Sequence, residues 1–390
     1  MKKLIFIGIL TFGVILFSFA QEYGWKDISA NIPTQTDLSD AFFISDNVGW
    51  ITSSSHAEIY HTTDGGETFE IQTTQYPTIA IKMLDSVNGY SGYSRIYMTT
   101  DGGKNWIAID YTPLLDLDFV TTSQGYACGD NGTVFSITPE GATNLNCQGN
   151  STLSGISAPS VNNVWVCGGG SIWYYDGTIF TGQSSPGGTF NNIHFINNQE
   201  GWVVGNVGVI GHTTDGGANW VTQANPDSQD RSLYGVFFLD SDNGWAVGFN
   251  GIILHTTNGG NSWTIEGAGL TTAFLRGVHF TSPTNGYVVG NGRTLLKYTQ
   301  VSGIGYFLNE IEFEIFPNPF NNSIQIKCSD FNTESGTIEV LSTVGKKILE
   351  KEINKGTEKI DIDLSDLGPG MYLCKITIDN RSSAKKIIKE

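Results

Sequence analysis

The chain has 390 residues, of which 39% are hydrophobic and only 15% charged, with 48 Gly, 22 Phe, 15 Tyr and 9 Trp. Aromatic surface on this scale offsets chain entropy once buried, which excludes a disordered polymer, and so much glycine with so little charge excludes a helical bundle. A net charge of −17 opposes phosphate backbones and anionic lipid surfaces, so neither nucleic acid nor a membrane surface is an expected partner.

Residues 1–20 read as a signal peptide: Lys2 and Lys3 precede an apolar run from Leu4 to Phe17 and the small-residue pattern Ser18, Phe19, Ala20, with cleavage expected after Ala20. The run is shorter than the roughly 20 apolar residues a bilayer requires, and no later stretch reaches that length. No membrane span is expected after signal removal. Residues 21–300 hold 24 acidic and 8 basic side chains and every tryptophan, whereas residues 301–390 hold 14 and 11. This contrast indicates two differently built domains, 21–300 and 311–390, joined by the linker VSGIGYFLNE at 301–310.

In the first domain a Gly-aromatic pair or its equivalent recurs at Gly49-Trp50, Gly89-Tyr90, Gly125-Tyr126, Val164-Trp165, Gly201-Trp202, Gly244-Trp245 and Gly286-Tyr287. The spacings of 40, 36, 39, 37, 43 and 42 residues match one four-stranded propeller blade per repeat. Between Leu233 and Glu266 four short apolar runs, LYGVFFL, GWAVG, GIILHTT and SWTIE, are separated by Asp, Asn and Gly turn residues, as strands are. Equivalent innermost strands are expected to begin at Leu38, Ile79, Leu115, Leu153, Phe190, Leu233 and Leu275. The seventh repeat stops after its third strand near Thr299, and an orphan fourth strand, GWKDIS around Trp25, stands at the other end. Pairing the two closes the ring and removes two sheet edges. The expected fold is all-β: a seven-bladed β-propeller followed by an immunoglobulin-like β-sandwich.

Four repeats carry a hairpin motif between their third and fourth strands: TTDGGETF (62–69), TTDGGKNW (99–106), TTDGGANW (213–220) and TTNGGNSW (256–263). It resembles the Asp-box of sialidase-type propellers. Asp64, Asp101, Asp215 and Asn258 are expected to accept backbone N–H groups across the turn while glycine supplies positive φ. A catalytic acid is needed once and a turn staple in every blade, so repetition assigns these four to structure. The pattern L-x-G-V-x-F, N-G-W-x-V-G, G-x-I-x-x-T-T-D-G-G-x-x-W is most similar to the photosystem II stability and assembly factor-like family, over roughly Tyr23 to Thr299. That resemblance implies a binding scaffold. The basic, arginine-bearing surface of the photosynthetic members is not matched, since this ring has only Arg95, Arg231, Arg276 and Arg293, so a photosystem client is not implied.

No zinc spacing, H-E-x-x-H pair, nucleophile elbow, Walker loop or dinucleotide fingerprint occurs in a suitable context. No cofactor or metal is expected, and Cys128 and Cys167 read as small packing residues in the slot filled elsewhere by Val204, Val247 and Val289. A sialidase site needs an Arg-Ile-Pro signature, but Arg95 is followed by Ile96-Tyr97. Asp116 and Asp118, two residues apart on an inner strand, are positioned to face a central channel. The expected function is therefore non-catalytic recognition of a protein or glycan, with a secreted glycoside hydrolase of the Asp-box type as the alternative. Candidate contacts on the second-to-third-strand and interblade loops are His56, Tyr93, Arg95, Arg231, Tyr234, Phe274, Arg276 and Arg293.

Beyond 310, runs such as SIQIKC, TIEVL, KIDIDL and MYLCKITI alternate as strands of a small sandwich. Phe316-Pro317-Asn318-Pro319-Phe320, Val344-Gly345-Lys346, and Leu364 to Tyr372 followed by Lys385, Lys386 and Lys389 resemble the type A C-terminal sorting domain of the type IX secretion system. The resemblance implies that residues 311–390 engage that machinery and that the protein is secreted, or displayed on the outer surface of a Gram-negative bacterium.

Overall fold

The computed structural model describes residues 23–145, 147, 149–300, 311, 313–332, 334–342, 347–357, 359–378 and 381–390. The signal peptide at 1–20, the linker at 301–310 and the Val344-Gly345-Lys346 hairpin lie outside the described residues.

Each repeat forms a four-stranded antiparallel sheet. The first takes Leu38–Phe43, Gly49–Ser53, Glu58–Thr62 and Glu70–Thr73. Innermost strands Leu38–Phe43, Thr78–Met83, Asp116–Thr121, Gly155–Ser160, Phe190–Phe195, Leu233–Phe238 and Leu275–Ser282 touch one another in that order, and the last touches the first. The sheets thus close as a β-propeller. The fourth inner strand starts at Gly155 rather than Leu153, because Leu153 N–H is drawn to Gly129 O of the preceding sheet, 3.0 Å away.

Closure occurs where the orphan strand predicts it. Tyr23–Asp27 pairs antiparallel with Thr294–Gln300, in the register Tyr23↔Gln300, Trp25↔Tyr298 and Asp27↔Leu296. Trp25 Nε1 also donates to Glu266 of the adjoining sheet at 2.9 Å. The two ends of the ring sequence cover each other's unpaired backbone groups.

The Gly-aromatic repeat has a specific packing cause. A Cβ at Gly49, Gly125, Gly201, Gly244 or Gly286 would fall 2.2–2.5 Å from the ring of Phe43, Phe119, Phe195, Phe238 or Phe280 on the inner strand of the same sheet. The vacated space seats that ring, which then stacks on the second-strand aromatic of the preceding sheet. Phe43 lies 3.6 Å from Tyr287, Phe119 3.7 Å from Tyr90, Phe195 3.9 Å from Trp165, Phe238 3.5 Å from Trp202 and Phe280 3.5 Å from Trp245. All of these pairs are near-parallel and buried. Two sheets depart from this, and in one a Cβ at Gly89 would meet the Met83 sulfur at 2.1 Å instead of a ring. Val164 replaces glycine in the sheet whose inner strand carries Ala158 in place of a ring, and the two pack with Tyr126 in one cluster.

Residues 313–389 form a three-stranded sheet (Phe313–Phe316, Ser323–Cys328, Lys359–Asp363) and a four-stranded one (Lys347–Ile353, Gly336–Ser342, Gly370–Ile378, Arg381–Lys389). Ile324, Ile326, Ile338, Val340 and Ile376 join them in one core. The opening motif holds the final strand: Asn318 accepts Ile388 N–H at 2.9 Å and donates to Lys386 O at 2.8 Å. Phe320 is buried beside Lys389, whose ammonium is buried too and donates to Leu364 O at 3.0 Å.

Gly244→Ala is expected to destabilise the ring by about 1–3 kcal/mol through overpacking against Phe238. Adding Phe238→Ala, which recreates the Val164–Ala158 arrangement, should cost less than the sum of the two single changes. Urea denaturation of the three variants measures both effects.

Candidate functional site

Successive strands alternate in direction, so one face of the ring collects the second-to-third-strand and sheet-to-sheet loops, and the opposite face collects the first-to-second loops and the third-to-fourth hairpins. In the second sheet Thr78, Tyr93, Ile96 and Asp110 mark the first edge, and Gly89 and Thr99 the other.

On the hairpin face the box side chains are consumed locally. Asp64 accepts Thr62 Oγ1 (2.8 Å), Thr68 N–H (2.9 Å) and Thr68 Oγ1 (2.6 Å). Asp101 and Asp215 take the same three positions, using Asn105 and Asn219. Asn258 repeats the pattern as an amide, accepting Ser262 N–H (2.9 Å) and donating to Ser262 Oγ (2.9 Å). These bonds hold the Asp64 carboxyl at about 2 and the Asp101 and Asp215 carboxyls below the usual range.

The box also braces the preceding sheet. Trp50, Trp165 and Trp202 donate Nε1–H to the carbonyls of Gly102, Gly216 and Gly259, and Tyr287 donates its hydroxyl to Gly65 O, at 3.0–3.2 Å. Trp106 and Trp263 reach back to Gln72 and Gln223, which in turn donate to Gly102 O and Gly259 O. Ahead of two sheets that have no box, Tyr90 and Tyr126 reach Thr122 O and Val161 O with their hydroxyls. Trp245 faces the sheet completed by Tyr23–Asp27, and its buried N–H has no partner among the described residues.

The eight candidate contacts lie on the loop face or at the channel mouth. Exposed His56 meets Thr36 Oγ1 at 3.0 Å. Arg231 is fully engaged: it forms a two-point ion pair with buried Asp227 (2.9 and 3.1 Å) and donates to Asn250 O. Arg293, at φ 66°, donates to Ile32 O. Tyr234, Phe274 and Arg276 form one cluster, with Tyr234–Phe274 centroids 4.2 Å apart and the Arg276 guanidinium 4.8 Å from the Phe274 ring. Tyr93 is exposed, and the Arg95 guanidinium lies between the Tyr76 and Tyr111 rings at 4.4 and 4.0 Å. Tyr76 and Tyr111 were not legible as contacts, because they stand in two different interblade loops that meet only after folding.

A central cavity of about 500 Å³ is lined by all inner strands, with Tyr234 and Arg276 among its lining residues and Asp116 and Asp118 on its wall. These carboxylates act as latches. Asp40 accepts Ile81 N–H (3.0 Å), Asp116 accepts Ile156 N–H (3.0 Å) and Asp118 accepts Ala158 N–H (2.8 Å), each from the next inner strand. Asn192 does the same for Val236. At the equivalent positions Gly155, Gly235 and Gly277 instead let the next backbone approach, leaving 2.7–3.1 Å for a Cβ. Lys82 bonds Asp118 at 2.8 Å and lies 5.1 Å from the Phe42 ring. Phe42, His279, Phe237 and His194 continue around the wall with ring centroids 4.5, 4.8 and 5.0 Å apart.

Burial raises the Asp40 carboxyl to about 6, and burial together with the Asp40 charge raises Asp116 well above its usual range. Burial, aided by the Lys82 charge, lowers His194 to about 4 and His279 to about 3. Both imidazoles are neutral near pH 7. Among the described residues, no three His, Cys, Asp or Glu side chains gather to hold a metal ion, and no helix is long and apolar enough to cross a membrane.

Two segments of the chain match known families. Residues 183–268 match the family described as photosynthesis system II assembly factor YCF48, and residues 314–390 match the secretion system C-terminal sorting domain. The tail match implies handling by a secretion system, with the chain placed outside the cell or on its outer surface. No curated protein matches the chain. Among solved structures, YCF48 bound to a D1 peptide is 20% identical with a TM-score of 0.59, covering 71% of this chain and 97% of that one. YCF48 from Cyanidioschyzon merolae is 20% identical at TM-score 0.58, covering 71% and 98%. Virginiamycin B lyase from Staphylococcus aureus is 15% identical at TM-score 0.63, covering 72% and 100%. At these identities the likeness is one of fold.

The two sets of carboxylates predict opposite pH limbs. Asp64 is depressed from its ordinary 3.8 to about 2, so its contribution is present above 3.8 and lost as pH falls toward 2. Asp40 is raised from 3.8 to about 6, so the stability it favours is complete below 3.8 and lost as pH rises through 6. Asp40→Asn should therefore raise the thermal midpoint at pH 8 relative to the parent chain and make little difference at pH 4. Asp64→Asn should flatten the acid limb, by a small amount because the group is exposed. Thermal melts across pH 2–9 check both signs.

Proposed function

We propose that residues 21–300 act as a seven-bladed, non-catalytic recognition propeller, exported after loss of residues 1–20 and delivered by the type IX secretion system through an immunoglobulin-like sandwich at 311–390. The observation that carries this reading is the separation of the two faces. The box carboxylates Asp64, Asp101 and Asp215 have their oxygens taken by the turn they brace. All four arginines of the ring sit in loops or at the channel mouth on the opposite side, beside exposed Tyr93, Tyr111 and Phe249. A rigid ring presenting variable loops suits binding of a protein or glycan. The similar YCF48 solved with a D1 peptide shows one such ring holding a polypeptide.

The glycoside hydrolase reading gains nothing from the channel. Asp116 accepts two backbone N–H groups and the Asn192 amide, and Asp118 accepts two backbone N–H groups and Lys82. Both carboxylates are thus accounted for as ties between neighbouring inner strands.

The mature full-length chain, incubated with a glycan array and with solubilised cell-surface extract, should bind saturably. It should release no product from chromogenic glycosides or polysaccharides, with or without calcium. Turnover without a stable complex would replace this reading with the hydrolase. Tyr234→Ala and Arg276→Ala should weaken the captured interaction at least several-fold while leaving the thermal midpoint within a few degrees of the parent.

A further inference from the structure

The ring carries 24 acidic and 8 basic residues, so an arginine in it can be neutralised cheaply. Arg231 is, by Asp227. Arg95 and Arg276 are treated differently. Among the described residues neither has a carboxylate within ion-pair distance, and each is held by the neutral oxygen of an amide: Gln75 Oε1 at 2.6 Å from Arg95 Nη1, and Asn291 Oδ1 at 2.7 Å from Arg276 Nε. A guanidinium has five N–H donors, so each of these side chains is oriented by one bond and keeps its charge and in-plane fork for something else.

Aromatic rings complete both mounts. The Arg95 guanidinium lies over both the Tyr76 and the Tyr111 ring, within cation–π distance of each. The rings are themselves open to solvent: Tyr76 is 41% exposed and Tyr111 72%, with Tyr93, 42% exposed, on the hairpin that carries Arg95 itself. Arg276 rests on Phe274, which packs with Tyr234 and with Phe249, itself 54% exposed. Each mount therefore offers a flat apolar plane with a polar rim next to an unneutralised planar cation.

Resting on the recognition reading above, and narrowing it, we propose that the loop face binds an acidic polysaccharide whose sugars carry carboxylates. In this arrangement an apolar pyranose face lies on a tyrosine ring and the uronate carboxylate accepts from the Arg95 fork, with the Arg276 mount engaging another sugar of the same polymer. A sugar ring fits these mounts better than an acidic peptide does. The anion and the apolar plane are then one rigid unit, as the guanidinium and the tyrosines are, so little flexibility is lost on binding. The net charge of −17 disfavours capture of a polyanion by the protein's overall field, so binding rests on local contact at the two mounts, where among the described residues no carboxylate lies within ion-pair distance of either guanidinium. Two mounts on one face also gain from a repeating ligand by effective concentration.

The test uses the mature full-length chain and polygalacturonate as the probe, read by affinity electrophoresis and calorimetry at 150 mM salt, with dextran and poly-L-glutamate as parallel arms. Polygalacturonate should bind saturably, dextran should not bind, and poly-L-glutamate should bind at least tenfold more weakly. Arg95→Ala and Arg276→Ala should each weaken binding about tenfold or more. Arg95→Lys should recover only part of the loss, since it keeps the charge and loses the fork. Tyr111→Ala removes a largely exposed ring, so it should lower affinity with the melting temperature unchanged. Absence of polygalacturonate binding, equal binding of dextran, equal or tighter binding of poly-L-glutamate, or indifference to both arginine changes overturns the proposal. If polygalacturonate fails while the glycan array or surface extract still yields a saturable ligand, this inference falls and the recognition reading stands. If nothing is captured in either experiment, both fall.

Discussion

The whole ring depends on a missing methyl group. A glycine in the second strand leaves room for a phenylalanine of its own inner strand, and that ring is thereby pressed flat against a tryptophan or tyrosine of the sheet before it. Stacked, fully buried aromatic pairs are among the larger single contributions a β-protein can make, worth about 0.5–1.5 kcal/mol beyond the area they bury. The same contact is geometric as well as energetic. At the five junctions that have it, the contact seats one sheet on the last, and the terminal strand Tyr23–Asp27 meets Thr294–Gln300 in register. Val164 opposite Ala158 and Gly89 opposite Met83 show that the glycine answers to a bulky inner-strand side chain and not to the strand itself.

From that constraint the roles of the other repeated residues follow. The indole N–H of a stacked tryptophan is buried and must find an acceptor, and the box of the next sheet supplies one in the carbonyl of its first glycine. The box aspartate shapes the turn that presents this carbonyl. Its carboxylate is thus two steps removed from any ligand. Ahead of two boxless sheets Tyr90 and Tyr126 find loop carbonyls instead, whereas Trp245, ahead of the sheet closed by the amino-terminal strand, departs from the pattern with no acceptor among the described residues. On the inner side the sheets are tied by Asp40, Asp116, Asp118 and Asn192, each bonding the backbone of the next inner strand. The ring is therefore braced at its hairpin face and along its channel, and the loops of the other face are left free to vary.

What was legible in the sequence was whatever repeats. The Gly-aromatic period, the TTDGG hairpins and the orphan strand near Trp25 each recur or complete a pattern, and the architecture follows from them. Single features were less visible. Asp40 and Ile81 are 41 residues apart, and their bond emerges only when inner strands are laid side by side. The alternation of Asp or Asn with Gly or Ala at that position is the signal that would have found it. Arg231 stood among the candidate contacts, yet Asp227 four residues earlier in the same insertion already neutralises it. Arg95 was visible, but the two tyrosines that mount it come from loops 35 residues apart. Pairwise side-chain meetings between unlike loops leave no periodic trace.

The tail obeys the same logic. Phe320, Asn318 and Lys389 belong to the motifs by which it resembles a sorting domain, and folding spends them on one another: Asn318 clasps the last strand, Phe320 fills the core and Lys389 is buried against Leu364 O. A buried lysine is tolerated only when its donors are satisfied, so this end of the chain is held in one position. Phe320 and Lys389 are buried, and exposed Asn318 is tied to the last strand through both ends of its amide, so these motif residues hold the fold at this end of the chain. In both parts of the molecule the residues that carry the resemblance are those that build the scaffold.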